Sequence, residues 1–441
     1  MRALTEEEKE VLAKLREVFA SEISVEVPSM KSVDRRKVKV EVDLVEGVIH
    51  NLVGESMSVT DVNRLLYVGS YIVADRLGML RKRQKKGRKD SRPYWQRRLE
   101  ESIARWRKDI DRIGEIRGGA TLTMRAREEL ERRYGLLENG ASSVCAMLRE
   151  KIRAGSVKVR NFVGKGVACR QNNLFRNNQS QLYKELSGTA KSGSDATPDA
   201  DEAGTFWSRI WSVEKQHNRD ASWLGDVRAR LGRIVQMEDV VVTLDDVKAG
   251  IRKMANWKAP GPDGVRGFWF KKFQCLHSPI AKALQAVVDV GDVPDWLVKG
   301  RTVLIQKDVA KGTVASNYRP IACLPLMWKL LTGIFADKVY DHLLNNNVLP
   351  DEQKGCRRKS RGTKDQLLID KAVLREAKRK KRHLSVAWID YKKAYDMVPH
   401  SWIREVLAMM KVAGNVAGLL ENSMGMWKTV LTANEEGAWD D

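Results

Sequence analysis

Leu384 to Pro399 reads L-S-V-A-W-I-D-Y-K-K-A-Y-D-M-V-P. Its first six residues are apolar enough, and the run short enough, for a strand covered on both faces. Asp390 closes that run, and Asp396 follows a short polar turn. A carboxylate at the last position of a doubly covered strand is costly unless it lies at an open end and faces a cation. Asp390 is therefore either a Mg²⁺ ligand or a turn aspartate ending a buried strand. The residues around it have to separate the two.

The chain has 441 residues, enough for two or three domains that each bury a core. Its 79 Lys+Arg exceed 57 Asp+Glu, for a formal charge of +22 and a pI near 9.7. An excess of that size speaks of partners rather than fold, and nucleic acid is the usual partner. Cys145, Cys169, Cys275, Cys323 and Cys356 are odd in number and widely spaced, without a C-x-x-C pair. They fit neither a disulfide framework nor a zinc site and read as reduced intracellular thiols, which places the protein inside the cell. No run of about 18 apolar residues appears, so neither secretion nor a membrane span is expected. Nothing in the sequence fixes an oligomeric state.

Residues 1–80 read as helical segments around one β-like stretch, Arg36 to Val48, where apolar residues recur at every second position. Thr60 is a candidate cap for a helix starting at Asp61. Arg81 to Asp90 is a nearly continuous cationic block, suited to nucleic acid or to nuclear import. Pro93 then opens a long helix with an apolar stripe of Trp95, Leu99, Ile103, Trp106, Ile110 and Ile113. Arg97, Arg98, Arg105, Lys108 and Arg112 project from its other side as a ridge for a nucleic-acid backbone. Glu100, Glu101, Asp109 and Asp111 would balance that ridge if it were an ordinary solvated face. Between Ala141 and Leu186 cations mix with Phe162, Phe175, Tyr183 and many amides, which suits single-stranded or structured RNA as well as helix packing. Gly164-Lys165-Gly166 is too short for a phosphate loop. Ser187 to Gly204 is small, polar and aperiodic, the mark of a flexible linker. Phe206, Trp207, Ile210 and Trp211 start a short amphipathic helix beyond it, and Thr243 with Asp246 caps another.

Trp257-Lys258-Ala259-Pro260-Gly261-Pro262-Asp263-Gly264 is a rigid turn before a helix rich in Phe and Trp. With the blocks after it, it resembles the start of the reverse-transcriptase region of non-LTR retrotransposons, where K-x-P-G-x-D-G stands. Trp296 to Lys307 resembles the first fingers strand, and Asn317-Tyr318-Arg319-Pro320-Ile321 matches the N-Y-R-P-I block. Leu349 to Arg357, continuing through Ser360 to Leu367, is similar to the Q-x-G-F-R…S-T-x-D-Q block, with Cys356 in place of an aromatic. The opening stretch then resembles motif A. Five blocks stand in the family's order across about 140 residues. The basic helices upstream, with P-Y-W-Q-R-R-L-E, look like such elements' RNA-binding extension.

The resemblance implies RNA-directed DNA polymerase chemistry on an RNA template, a DNA primer and deoxynucleotide triphosphates. Two Mg²⁺ ions would lower the cost of charge on the attacking 3′ oxygen and on pyrophosphate. It makes Asp390 the catalytic metal ligand, with the carbonyl of Tyr391 completing one metal shell. Lys307 and Arg319 fall where the fingers close on the triphosphate, and Tyr395 where a bulky ring excludes a ribose 2′-OH. Gln353 and Arg357 shape the nucleotide and template pocket, while Asp396 caps the helix Pro399 to Met410. The x-x-D-D hairpin and glycine-rich block of the family do not follow. Asp440 and Asp441 lack a preceding apolar strand, so the expectation is an element truncated after motif A, inactive on its own and loosely ordered or self-associating beyond Leu384.

The expected fold is mainly α with a partial α+β fingers and palm and a helical basic N-terminal extension. Its expected divisions are 1–80 mixed, 81–186 basic and RNA-binding, 187–204 linker, 205–256 helical, and 257–441 fingers with incomplete palm. A non-catalytic RNA-binding protein derived from a retroelement is the alternative. An unrelated helical DNA-binding protein would require the block matches to be chance.

Overall fold

The computed structural model describes residues 4–21, 25–54, 56–80, 92–117, 123–177, 179–186, 197–391, 393–434 and 437–438. Its contacts separate two units, residues 1–82 with 195–441 and residues 83–194. The cationic block Arg81–Asp90, most of the linker and Asp440–Asp441 lie outside the described residues.

The first unit opens with helices α1 (Glu6–Ala20), α2 (Arg35–His50) and α3 (Val59–Arg76). Thr5 with Glu8 and Ser58 with Asp61 close reciprocal capping boxes at the starts of α1 and α3. The cap of α3 is thus Ser58 rather than Thr60, whose hydroxyl accepts instead from Trp296 Nε1 at 2.9 Å. Arg36 to Val48 is helix, not strand. Val38, Val42, Val45, Val48 and Ile49 are buried at helical spacing while Val40, which makes the alternation look strand-like, is 65% exposed.

The second unit contains α4 (Tyr94–Arg117), α5 (Met124–Tyr134), α6 (Leu136–Asn139), α7 (Ala141–Asn177) and α8 (Gln179–Leu186). Ile113 packs with Leu130, Val144 and Leu148; Ile103 meets Gly155; Trp95 meets Phe162. Going down α4 therefore means going up α7, which defines an antiparallel pair. A Cβ on Gly155 would stand 3.1 Å from Ile103, so the two backbones approach closely there. Asp109, expected on the solvated face, is buried and accepts from Tyr134 Oη at 2.7 Å. Burial, then that carboxylate, pushes the Tyr134 phenol up to about 12.

The first unit resumes with α9 (Ala200–Trp211), capped by Asp199, so residues 200–204 of the expected linker are helical. Phe206 to Trp211 end this helix rather than begin one. Helices α10 (Trp223–Leu231), α11 (Leu244–Lys253), α12 (Gly267–Lys272), α13 (His277–Val290) and α14 (Asp295–Val298) follow. Thr243 and Asp246 form the expected capping box of α11. Trp269, Phe270 and Phe273 are fully buried in one core with α1, α2 and α3. Gly69 makes room for the Phe273 ring: a Cβ there would lie 3.0 Å from it. The N-terminal helices and the later blocks thus share one hydrophobic core.

Strand β1 (Lys299–Gln306) pairs antiparallel with β2 (Tyr318–Cys323). Helices α15 (Leu326–Asn345), α16 (Thr363–Arg379), α17 (His400–Met409) and α18 (Gly414–Met424) follow, then β3 (Lys428–Asn434) and β4 (Gly437–Ala438). The sheet order is β2-β1-β3-β4, with β3 parallel to β1 and a Thr302–Thr429 hydroxyl bond of 2.7 Å between them. Both edges of β1 are therefore occupied, and Leu384–Asp390 forms no strand. Trp388 and Ile389 are 74% and 79% exposed. A strand does precede the C-terminal aspartates, namely β3. The expectation of loose order past Leu384 is likewise overturned for residues 400–434: Val412, Ala413, Val416 and Leu419 join the main core.

The Pro260–Gly264 turn locks these parts together. A Cβ on Gly261 would sit 2.4 Å from the Pro325 nitrogen and 2.6 Å from the Leu324 carbonyl carbon, so only glycine lets the two backbones meet. Gly261→Ala is expected to lower stability by about 2 kcal/mol in urea unfolding. Beside it, Asp263 is buried and receives Asn63 Nδ2 at 3.3 Å; burial raises its carboxyl to about 6. The folded state thus holds this proton more tightly than the unfolded chain. The stability it confers is full below pH 4 and is lost as pH rises from about 4 through 6, by up to roughly 3 kcal/mol. Asp263→Asn should flatten that part of the stability–pH curve.

Candidate active site

Each letter of Asn317-Tyr318-Arg319-Pro320-Ile321 has a separate physical task. Asn317 Nδ2 donates to the carbonyls of Asp308 at 2.6 Å and Gly312 at 2.8 Å, fastening the β1–β2 connection. Tyr318 is buried with Leu304 and the aromatic face of α9. Pro320 lacks an N–H, which an edge strand such as β2 tolerates. Arg319 stands opposite Ile305 on the open face of the hairpin. The Lys307 N–H extends the ladder to the Asn317 carbonyl at 2.8 Å, and its Nζ reaches the Ser316 carbonyl at 3.3 Å. Strand alternation sets Lys307 on the Ile305 side, so two exposed cations flank one end of the hairpin. Planar Arg319 can grip two phosphate oxygens, whereas Lys307 acts as a point charge.

Gln353 and Arg357 hold their own turn. Gln353 Nε2 donates to the Gly355 carbonyl at 3.1 Å; Arg357 donates to the Pro350 carbonyl and pairs with Asp351 at 2.9 Å. Cys356 between them has φ +56°, a left-handed backbone uncommon for a side chain other than glycine or asparagine. Arg358 anchors the turn to α15, its guanidinium 4.3 Å from the Tyr340 ring centroid and 2.9 Å from Asp341.

Asp390 and Tyr391 lie exposed at the end of the extended segment, and Tyr395 is 90% exposed. Asp396 does not cap α17. That helix begins after Pro399 without a side-chain cap, and Asp396 Oδ1 accepts from Trp211 Nε1 at 3.1 Å. Lys393, with φ +53°, places its ammonium 3.7 Å from the Trp207 ring centroid and 4.1 Å from that of Phe206. Helix α9 therefore grips the turn between Asp390 and Asp396, and its opposite contacts are with the hairpin: Glu202 accepts the Ala315 N–H at 3.2 Å. Sequence reasoning misses these α9 contacts. Their signal is two tryptophans four apart, which could equally be core. His217 ties the next segment to α17, its N–H donating to Ser401 Oγ at 3.0 Å.

In the second unit Arg97, Arg98, Arg105 and Lys108 are exposed on α4, and Arg112 is half-buried. Ile103 and Ile113 on the opposite stripe are buried. One face packs, and the open face carries these cations together with exposed Glu101, Asp111 and Glu115.

Among the described residues no group of three or more His, Cys, Asp or Glu could hold a metal ion. Asp390, the Tyr391 carbonyl and an Asp396 already engaged by Trp211 do not make a donor set for two Mg²⁺ ions. A single carboxylate leaves three of the four positive charges of two Mg²⁺ ions unbalanced.

Residues 305–437 match the family model described as reverse transcriptase (RNA-dependent DNA polymerase). The chain is 29% identical over 161 residues to the RNA-directed DNA polymerase from mobile element jockey of Drosophila melanogaster, covering 36% of this chain and 17% of that protein. It is 25% identical over 183 residues to the Pol polyprotein from type-2 retrotransposable element R2DM of the same organism, with 40% and 16% covered. A Pol polyprotein from type-1 retrotransposable element R2 of Nasonia vitripennis is 27% identical over 156 residues, with 35% and 14% covered. The matched region is less than a fifth of each relative's length.

Trp211→Phe keeps a ring on α9 but removes the donor to Asp396, and is expected to cost about 1 kcal/mol in urea unfolding. In an Asp396→Ala background the same change should cost less by the worth of that bond, leaving only the loss of packing against Trp207. Equal losses in both backgrounds would show that the bond carries no stability.

Proposed function

We propose, for a chain whose residues 305–437 are a reverse-transcriptase domain of the non-LTR retrotransposon kind, a part in copying an RNA template into DNA from a DNA primer and deoxynucleotide triphosphates. The reading is carried by the β1–β2 hairpin, whose buried Tyr318 and edge Pro320 leave Arg319 and Lys307 exposed together at one end. In the reaction the primer 3′ oxygen attacks the α-phosphate in line and pyrophosphate leaves. Arg319 and Lys307 bind and orient the triphosphate and offset its charge, so their work is positioning and electrostatics. The exposed ring of Tyr395 rests against the sugar edge and excludes a 2′-OH. Gln353 and Arg357 fix the turn that borders the nucleotide. In an enzyme with a full donor set Asp390 would be one carboxylate of it, with Tyr391 contributing a carbonyl; the described residues do not complete that set. Mg²⁺ would lower the cost of charge on the attacking and leaving oxygens. The α4 ridge holds the RNA backbone, and the protein acts inside the cell as a ribonucleoprotein.

Because Asp390 is exposed and belongs to no metal-binding group of three among the described residues, the chain by itself is proposed to bind RNA without polymerising. The same observation favours the second reading, a non-catalytic RNA-binding protein derived from such an element. With a DNA primer on an RNA template, Mg²⁺ and deoxynucleotides, residues 1–441 are expected to give no extension while retaining RNA binding. Extension that disappears in Asp390→Ala would overturn the inactive reading and establish Asp390 as catalytic in this chain.

A further inference from the structure

Between Lys151 and Lys184 the sequence has eight Lys or Arg and no Asp or Glu. Most of this stretch is the second half of α7, and every residue from Asn161 to Arg170 is exposed. Phe162, Val163 and Val167 are thus apolar side chains in water on a helix whose only charges there are Lys165 and Arg170. The antiparallel register explains the exposure. Helix α4 starts at Tyr94, level with Phe162, so α7 runs on past its partner by about 15 residues, or roughly 22 Å.

Aromatic rings gather where the pair opens. Trp95 meets Phe162 edge to face at 4.9 Å between centroids, yet the two remain 37% and 43% exposed. Lys158, one turn before Phe162, sets its ammonium 5.6 Å from the Trp95 centroid. Arg98 lies 5.6 Å from the exposed Tyr94 ring. Rings half open to water beside cations offer what a nucleobase and its phosphate need, a π-face with a positive charge within one nucleotide's reach. A duplex keeps its bases stacked on one another and presents no free face.

We propose that this end of the helix pair is a single-strand site. One or two unpaired bases stack on Trp95 and Phe162, and the sugar–phosphate chain follows the same side of α7 past Lys158 and Lys165. The site deepens, and rests on, the RNA-binding reading of the extension. RNA and single-stranded DNA share the required chemistry.

Anisotropy of the full chain with four fluorescein-labelled 12-mers tests the proposal: single-stranded RNA, DNA of the same sequence, an abasic DNA strand and an RNA duplex. Base-bearing single strands, of RNA, DNA or both, are expected to bind about tenfold or more tightly than the abasic strand and the duplex. Trp95→Leu and Phe162→Leu, which keep an apolar side chain and a helix-forming residue, should each narrow the gap to the abasic strand. Lys158→Gln and Lys165→Gln should weaken both strands alike and reduce the slope of log affinity against log salt, by roughly 0.7 for each phosphate no longer neutralised. Equal affinity for base-bearing and abasic strands, equal affinity for the duplex, or a gap unchanged in both leucine variants would overturn the stacking site while leaving backbone binding in place. Binding to none of the four would overturn the RNA-binding reading together with it.

Discussion

The insertion of Trp269, Phe270 and Phe273 among helices α1 to α3 is the contact on which the first unit depends. Three large aromatic side chains with essentially no exposure contribute on the order of 2 kcal/mol each relative to being left in water. They do so only because Gly69 leaves a hollow for the Phe273 ring and Gly261 lets its turn touch the Leu324–Pro325 backbone. A segment with no chemical residues of its own, the first 80, is therefore part of the frame behind the β1–β2 hairpin. The K-x-P-G-x-D-G block serves this frame as much as any substrate.

Charge is arranged around that frame in two ways. Asp263 is taken out of water and balanced by Asn63 and its own turn, so it belongs to the interior. Arg319, Lys307 and Asp390 remain in water. Helix α9 joins the two halves of the exposed set, one end on the hairpin through Glu202 and the other on the motif A turn through Trp207 and Trp211. A cation held by two rings fixes the backbone of Lys393 in a left-handed conformation that would otherwise be costly.

Where the sequence is legible, a local rule has no competitor. Thr243 with Asp246 can only be a capping box, and Asn317 to Ile321 combines a turn former, a core ring and an edge proline in one order. Arg36 to Val48 misleads because alternating valines satisfy a period of two and a period of 3.6 at once. Only Ile49 and the polar residues between, seen against a packed neighbour, separate the two. Leu384 to Asp390 has strand composition, but the place beside β1 is taken by β2 and β3, and the segment stays extended and unpaired. Residues 200–204 look like linker because small and acidic residues suit both a loop and the first turn of a helix capped by Asp199. The α9 contacts with Lys393 and Asp396 are long-range facts that no local pattern encodes.

The basic unit of residues 83–194 is inserted in sequence between two pieces of one core. This arrangement imposes an order on synthesis. Helices α1 to α3 leave the ribosome about 190 residues before Phe273, their aromatic partner. At ordinary elongation rates that is a wait of roughly 10 to 40 s, during which valines meant for the interior face water. Meanwhile the inserted helices, whose contacts are mostly near in sequence, can finish folding on their own, in milliseconds or less. The inserted unit is thus folded before the core that brackets it closes, and the first three helices wait for a partner on the far side of a finished neighbour in the sequence.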